Sequence, residues 1–487
     1  MKLVIITLLC GCLSSTLWAA TLLPTGIGKT DNMLTMNGED FQVKSIYLLA
    51  WLPGENPGIG EQPLQADYNE IMSNIKATGA NTVTVLHALM PAAFYQQARA
   101  HGLKIIQGIW FTQDLVDFQN ETLKSQIKAD IKAMIDNFHN AGGVDYSEDI
   151  IFLNIGNELG EYGINTTNNA HPGTTSYTGN YISAPAGSNA TECFLAEICD
   201  YAVTYEINTY GVRHYVSHST WSQVSPALLD TGFLDMVSYN VYSYWPDWML
   251  TYQGGSVTGT PYQGYIEDMK TYYAAKPFYI SEFGYSTAPL KPDTACVSEQ
   301  EQADGIKARW LDISTAKVPL AGGTVFNYQD EWWTQANTAA WPSVADEDEH
   351  AQDDREEWFG IVKIDGTSSS NYTVTKKPAY YAVEDMYTPA VSTGPTAAVS
   401  AGASFWAYPN PCSKSKDEAM TFANMSGKSK LQIYTLNGEL VYSMDITTDH
   451  LIWNLRNYYN NKVAYGIYLA KVTAGDNIYW QKIAIKP

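Results

Sequence analysis

The run Ile150-Ile151-Phe152-Leu153-Asn154-Ile155-Gly156-Asn157-Glu158 decides how this chain is read. It is apolar along most of its length rather than alternating, the pattern of a parallel strand covered on both faces, and it ends in a carboxylate. A second segment has the same form, Pro277-Phe278-Tyr279-Ile280 leading into Ser281-Glu282-Phe283. Working outward from these two, strand-like runs recur between about residues 40 and 388, at 43–52, 81–87, 104–111, 149–158, 212–220, 234–244, 276–285 and 321–330. Amphipathic segments separate them. Tyr68, Ile71, Met72 and Ile75 fall at helical spacing, with Asp67 placed to cap, Glu70 to complete a capping box and Gly79 to end the helix. Leu123, Ile127, Ile131, Met134, Ile135 and Phe138 mark a longer helix. Eight such strands interleaved with helices predict an α/β fold, a (β/α)8 TIM barrel rather than an open sheet.

The 487 residues suffice for one large domain and a small one. A net charge of -22 disfavours nucleic acid, whose phosphates would be repelled, and is compatible with neutral sugars. Most of the 34 Tyr and 14 Trp are expected to pack the interior and surface; a few at strand ends could stack on sugar rings. Residues 1–20 read as a signal peptide: Lys2, an apolar stretch from Leu3 to Leu9, and Trp18-Ala19-Ala20 as a small-residue exit. Cys12, after Leu9-Cys10-Gly11, loosely matches a lipoprotein cleavage site. No other run reaches transmembrane length, so an integral membrane protein is not expected. Export permits disulfides, and Cys193 and Cys199 are spaced to bridge a loop. No cysteines show zinc spacing.

The expected divisions are a barrel over 21–389, a small-residue linker over 390–404, and a second domain over 405–487. In the last, Leu431 to Thr435 and Glu439 to Ser443 flank the hairpin signal Leu436-Asn437-Gly438, and further strands are expected at 465–473 and 478–485. These predict a small antiparallel β-sandwich.

Side chains at the C-terminal ends of barrel strands meet at one mouth. Glu158 on the fourth strand and Glu282 on the seventh are therefore expected to face each other. Two carboxylates about 5–5.5 Å apart are what retaining glycoside hydrolysis requires, one attacking the anomeric carbon and the other acting as acid and then base. Taken singly, each glutamate could equally be a solvated strand end. His218 and Trp221, ending the fifth strand, are expected at the same mouth. The acidic run Asp346 to Glu349 with Asp353 and Asp354 has oxygen ligands for calcium but no EF-hand pattern, and a solvated loop is the preferred reading.

Asn157-Glu158 and Ser281-Glu282-Phe283-Gly284 resemble the acid/base and nucleophile motifs of clan A glycoside hydrolases. Leu234-Asp235-Met236-Val237-Ser238-Tyr239-Asn240-Val241-Tyr242 is similar to strand six of the β-galactosidase/β-glucuronidase family. Gly322-Gly323-Thr324-Val325-Phe326-Asn327-Tyr328 is similar to strand eight there and in the β-1,3-glucanosyltransferases. The resemblance implies that Glu158 is the acid/base, Glu282 the nucleophile, and Asn157 a partner of the sugar 2-hydroxyl. Tyr242 would hold the nucleophile ionised, with Tyr239 as its rival. Trp332 or Trp333 would be the sugar platform. Thr84 stands where many clan members carry an arginine on strand two, and His87 could take over some of its polar contacts. No cofactor is expected. The implied activity is a secreted retaining β-glycoside hydrolase on a β-linked polysaccharide or oligosaccharide, β-glucan first. Glucanosyl transfer on the same site and a silent polysaccharide-binding surface protein are the alternatives.

Tyr408-Pro409-Asn410-Pro411, Leu431-Gln432-Ile433-Tyr434, Tyr465-Gly466-Ile467-Tyr468 and the terminal Lys482-Ile483-Ala484-Ile485-Lys486-Pro487 resemble the sorting domain of the bacterial type IX secretion system. That implies the type IX machinery as a partner and a secreted or outer-surface location. A generic immunoglobulin-like module or a carbohydrate-binding module are the other readings of these residues.

Overall fold

In the computed structural model the described residues are 23 and 26–388, apart from 56–61, 112–115, 255–258, 291–295, 333–349, 351 and 353, and 406–486, apart from 411, 414–418, 424–428, 436–439, 447–449, 458–460 and 475–476. The signal-peptide and linker readings, Trp333, the Asn437-Gly438 turn and the run Asp346 to Glu349 lie outside them. The chain divides into two compact units, Met1–Pro389 and Ala390–Pro487.

In the first unit eight strands close into a barrel: β1 (Val43–Tyr47), β2 (Thr82–Val85), β3 (Lys104–Ile109), β4 (Ile150–Asn157), β5 (Val216–Trp221), β6 (Val237–Asn240), β7 (Phe278–Phe283) and β8 (Gly322–Val325). Every neighbouring pair is parallel, and β8 returns to β1 with Gly322 opposite Val43. The helices are α1 (Tyr68–Ala77), α2 (Ala92–Ala100), α3 (Glu121–His139), α4 (Glu161–Ala170), α5 (Ala190–Tyr210), α6 (Pro261–Tyr272), α7 (Glu299–Ser314) and α8 (Pro378–Tyr387). The eight expected strands are all present, but several are shorter than their apolar runs. Leu48, Trp51 and Tyr328 are buried beyond the assigned strand ends, and some pairing continues there: the Leu48 N–H donates to Thr84 O and the Tyr328 N–H to Tyr47 O, both at 2.8 Å.

Helix boundaries follow their caps. Asp67 accepts the Glu70 N–H at 3.0 Å, giving one half of the expected capping box, and Gly79 follows α1 at φ 83°, a left-handed backbone that suits glycine. The buried faces of α1 and α3 are the stripes expected from spacing. Cys193 and Cys199 both lie on α5. Six helical residues advance about 9 Å along the axis, beyond disulfide reach, so the expected loop bridge is corrected to two buried thiols. The segment 159–200 is structured as α4, a short Tyr177–Thr178/Ser183–Ala184 hairpin and the start of α5. The buried Asp200 carboxylate organises it by accepting the N–H groups of Asn180, Tyr181 and Ile182 at 2.7–3.1 Å.

The lower end of the barrel is plugged by a three-stranded sheet (Ile27–Lys29, Leu34–Met36, Glu39–Phe41), whose Ile27 and Leu34 join a core cluster with Ile106, Ile151, Phe152 and Tyr279. Above that plug the interior is polar. Ser45 and Thr84 hydrogen-bond at 2.8 Å, Thr84 meets Thr324 at 3.2 Å, and Ser217 meets Ser238 at 2.6 Å. Small hydroxyl side chains let the strands close tightly while their polar atoms satisfy one another.

The second unit is two sheets around one core. Trp406–Tyr408, Met420–Ala423 and His450–Trp453 form one sheet; Cys412–Ser413, Asn477–Lys486, Gly466–Ala474, Ser429–Thr435 and Leu440–Ile446 form the other, in that spatial order. Alternate residues such as Leu431 and Ile433 bury against Phe422, Trp453, Val472 and Ile483.

One glycine in β4 is required by its backbone and by space together. Gly156 has φ 79°, and a Cβ there would lie 2.2 Å from the Phe111 ring. Gly156→Ala is expected to lose at least about 1–2 kcal/mol from the left-handed backbone alone, lowering the calorimetric Tm by roughly 2–8 °C. An unchanged Tm would mean that this strand end tolerates a side chain.

Candidate active site

The end of β4 turns sharply into the mouth. Glu158 has φ 48°, rare for a residue with a Cβ, and its N–H donates to Ser219 O of β5 at 2.8 Å. Such a conformation is worth about 1–3 kcal/mol of strain and persists where surroundings dictate it. Here it follows the left-handed Gly156 and projects the Glu158 carboxylate beyond the strand ladder.

Asn240, the last residue of β6, ties the site together. Its Nδ2 donates to Glu158 Oε1 at 2.8 Å and to Asn157 Oδ1 at 3.1 Å, while its Oδ1 accepts from Ser281 Oγ at 2.6 Å. The Ser281 neighbour, Glu282, is buried, and its Oε2 accepts the Tyr242 hydroxyl at 2.8 Å. Strands β4, β6 and β7 thus converge through one amide on two carboxylates. From β2, Thr84 and Leu86 line a cavity of about 10 Å³ together with Glu282, so a hydroxyl and an apolar side chain occupy the side where a cation was looked for.

Both carboxyls are pushed above the ordinary range. Burial is the main cause for Glu158, raising it to about 7 against the Asn240 hydrogen bond, with Glu356 raising it further and Arg355 lowering it. Burial also raises Glu282 well above its usual value, and the Glu158 charge adds to this; the Tyr242 and Asn240 hydrogen bonds oppose it. Two carboxyls in mutual repulsion titrate as a pair. The phenol of Tyr47, just past the polar interior, is raised by burial and then by Glu282, Glu331 and Glu158. Glu331 is a further buried carboxyl, raised by burial and by Glu356, Glu357, Asp354 and Asp330, and it accepts Asn327 Nδ2 at 2.6 Å.

The other expected site residues are distributed differently. Asn157 is buried beside Glu158, on Asn240. Tyr239 points away from the pair, into a buried cluster, its hydroxyl 3.4 Å from Tyr273 and its ring against Phe278; the rivalry with Tyr242 is corrected in favour of Tyr242 as the residue that meets Glu282. His218 is also corrected. It is fully buried, its Nδ1 2.9 Å from Ile155 O, and burial lowers its pKa to about 4. Alternation explains this, because Ser217 and Ser219 take the inward positions of β5 and His218 the outward one. Trp221, two residues past Ser219, ends β5 half-buried opposite Asn240. His87 lies edge-on to Trp51 at 4.8 Å with its Nδ1 at the Leu89 backbone, and burial lowers its pKa. Trp332 is buried, donates its indole N–H to Ile364 O at 3.0 Å and stacks on His350, so its ring is occupied by the protein and does not serve as an open platform.

Three residues at the mouth were missed. Asn240 shares the period-two face of Tyr242, a signal the sequence carried. Phe326 follows β8, half-buried, edge-on to Tyr47 at 5.1 Å and to Phe359 at 5.3 Å, and Phe359 in turn meets Tyr242. It lies in the strand-eight segment and reaches Tyr242 through Phe359. Glu356, far along the chain, acts on both carboxyls through folding alone. Carboxyl titration by ¹³C NMR with labelled glutamate tests the electrostatics. A carboxyl with a midpoint near 7 is expected, absent in Glu158→Gln and moved upward in Asn240→Ala, which loses the hydrogen bond that favours the anion. A midpoint near the ordinary value of about 4.3 would contradict it.

Residues 406–486 match the family model described as a secretion system C-terminal sorting domain. No curated protein matches the chain. Among solved structures, the chain resembles a β-glucuronidase from Bacteroides uniformis, at 13% identity and a TM-score of 0.52, over 95% of this chain and 48% of that one. It also resembles a GH2 β-galacturonidase from Eisenbergiella tayi solved with galacturonate, at 16% identity and a TM-score of 0.50, over 74% of this chain and 54% of that one. The chain thus spans about half the length of these proteins. The likeness is one of fold, a closed eight-stranded parallel barrel shared with glycoside hydrolases, and the second unit is a sorting domain that marks the chain for export.

Proposed function

We propose that this protein is an exported retaining β-glycoside hydrolase. The observation that carries the reading is the buried pair Glu158 and Glu282 at the mouth of a closed barrel, joined through Asn240 and with Tyr242 donating to Glu282. Tyr242 and Asn240 stabilise an ionised Glu282, which attacks the anomeric carbon. Glu158, protonated up to about pH 7, gives its proton to the leaving oxygen and then takes one from water. Asn157, hydrogen-bonded to Asn240 beside Glu158, meets the sugar 2-hydroxyl.

The surroundings favour a neutral sugar. Glu356 raises both carboxyls of the pair, and Arg355, the cation that lowers Glu158, is itself paired to Glu356 at 2.9 Å, as Lys377 is to Asp330 at 2.7 Å. A uronate carboxylate would enter against this field. β-Glucan is the first polymer to try, and export by the sorting domain places the enzyme where polymers are met, in the medium or on the outer surface. Transfer to a sugar acceptor uses the same covalent intermediate and is distinguished by longer products.

Wild type is expected to release oligosaccharides from a neutral β-glycan, with the β-anomer appearing first by ¹H NMR. Glu282→Gln is expected to abolish release, and Glu158→Gln to slow it by about 10²–10⁴-fold. Equal activity in Glu282→Gln would remove it from the mechanism. Because the acid form of Glu158 is required, kcat/KM is expected to fall as pH rises through about 7. A Glu356→Gln variant, relieved of one repelling charge, is expected to lose activity at lower pH than wild type. A limb that stays fixed in this variant would show that Glu356 does not act on Glu158.

A further inference from the structure

The loop that leaves β6 carries exposed aromatic surface that the carboxylate chemistry does not use. Trp245 is 43% exposed and Trp248 40% exposed, with Leu250 beside them. Loops following barrel strands lie at the C-terminal face, so this surface belongs to the mouth. Trp245 is joined to the site directly. It pairs with Tyr242 across an isolated antiparallel bridge, which sets their Cα atoms about 4.5–5.5 Å apart with both side chains leaving the same face. The Tyr242 hydroxyl is the one that reaches Glu282. From Tyr242 the aromatic surface continues through Tyr244 at 5.6 Å to Tyr285 at 5.4 Å, and Ser243 hydrogen-bonds Tyr285. Trp248 is braced from below by Tyr265 at 5.4 Å and Tyr252 at 5.9 Å, and Tyr252 is fixed by Asp268 at 2.7 Å. Trp248 is therefore open on one side and supported on the other, and Trp245 is held to Tyr242 through the backbone. Across 243–254 the sole charged residue is Asp247.

The geometry points to this loop as a chain-binding ledge, in which Trp245 and Trp248 stack on successive rings of a neutral β-glycan beyond the unit held at the carboxylates. Exposed tryptophan faces suit the apolar faces of sugar rings, and a rigid support lowers the entropy lost on binding. A ledge continuous with the cleft selects a polymer over a small glycoside. Its one charge, the Asp247 carboxylate, disfavours an anionic chain and leaves a neutral one. The inference rests on the proposed glycosidase reading for its occupant.

The test is affinity electrophoresis of the full chain in gels containing soluble β-1,3-glucan, β-1,4-glucan, β-mannan or β-galactan. Wild type is expected to be retarded by at least one of them, the Trp245→Ala/Trp248→Ala variant about tenfold less, and Trp245→Phe/Trp248→Phe to keep much of the retardation. If the double alanine variant melts below wild type, the two single alanine variants carry the comparison. No retardation by any polymer, or equal retardation in the alanine variants, would overturn the ledge. So would conversion of a dimer to a monomer in sedimentation of the double variant, because the tryptophans would then cover a second copy. Glu282→Gln run alongside separates the two claims. Hydrolysis lost with retardation kept concerns the carboxylates; retardation lost with hydrolysis of short substrates kept concerns the ledge.

Discussion

One side-chain amide holds three strands of the barrel mouth in register. Asn240 donates to Asn157 and Glu158 of β4 and accepts from Ser281 of β7. None of these partners is near it in sequence, so the arrangement exists only when the barrel is closed. Removing the amide would leave buried polar groups without partners, which is more damaging than the loss of the bonds themselves. Closure, placement of the carboxylates and their hydrogen bonding are one constraint.

The electrostatics follow from where that constraint puts the carboxylates. Burial raises both, and their mutual repulsion raises Glu282 further. With Thr84 and Leu86 on the β2 side, Tyr242 and Asn240 are left to favour the anion. Double displacement needs one group of such a pair charged and the other protonated at its first step. The proposed mechanism rests on hydrogen-bond donors where a cation would have been the simpler device.

Much of the fold was legible because parallel barrel strands are apolar on both faces and their helices are amphipathic. The run 150–158 marks β4 nearly to the residue, and the stripes of α1 and α3 are the ones that pack. Strand ends were overestimated past residues such as Leu48 and Trp51, since apolar composition marks burial and not the length of a ladder. The site was legible wherever period two applied, as for Tyr242. It misled at His218, where the assumption that any residue near a strand end faces the mouth overrode alternation. Trp332 illustrates another limit: a large aromatic past a strand end is as readily consumed by packing, here on His350 and Ile364, as left open. Glu356 and Arg355 act on Glu158 from nearly 200 residues away in sequence, and nothing local could announce that.

The proposed mechanism requires Glu282 to form a covalent bond to the sugar. The direct measurement is intact and peptide mass spectrometry of the full chain after incubation with a 2-deoxy-2-fluoro-β-glycosyl fluoride of the sugar it releases. The electronegative 2-fluoro group slows both formation and hydrolysis of the glycosyl–enzyme, and the good fluoride leaving group restores formation alone, so the intermediate accumulates. The account predicts one added glycosyl unit, located on the peptide carrying Glu282 and absent in Glu282→Gln. An adduct on another residue, or inactivation without any adduct, would contradict it.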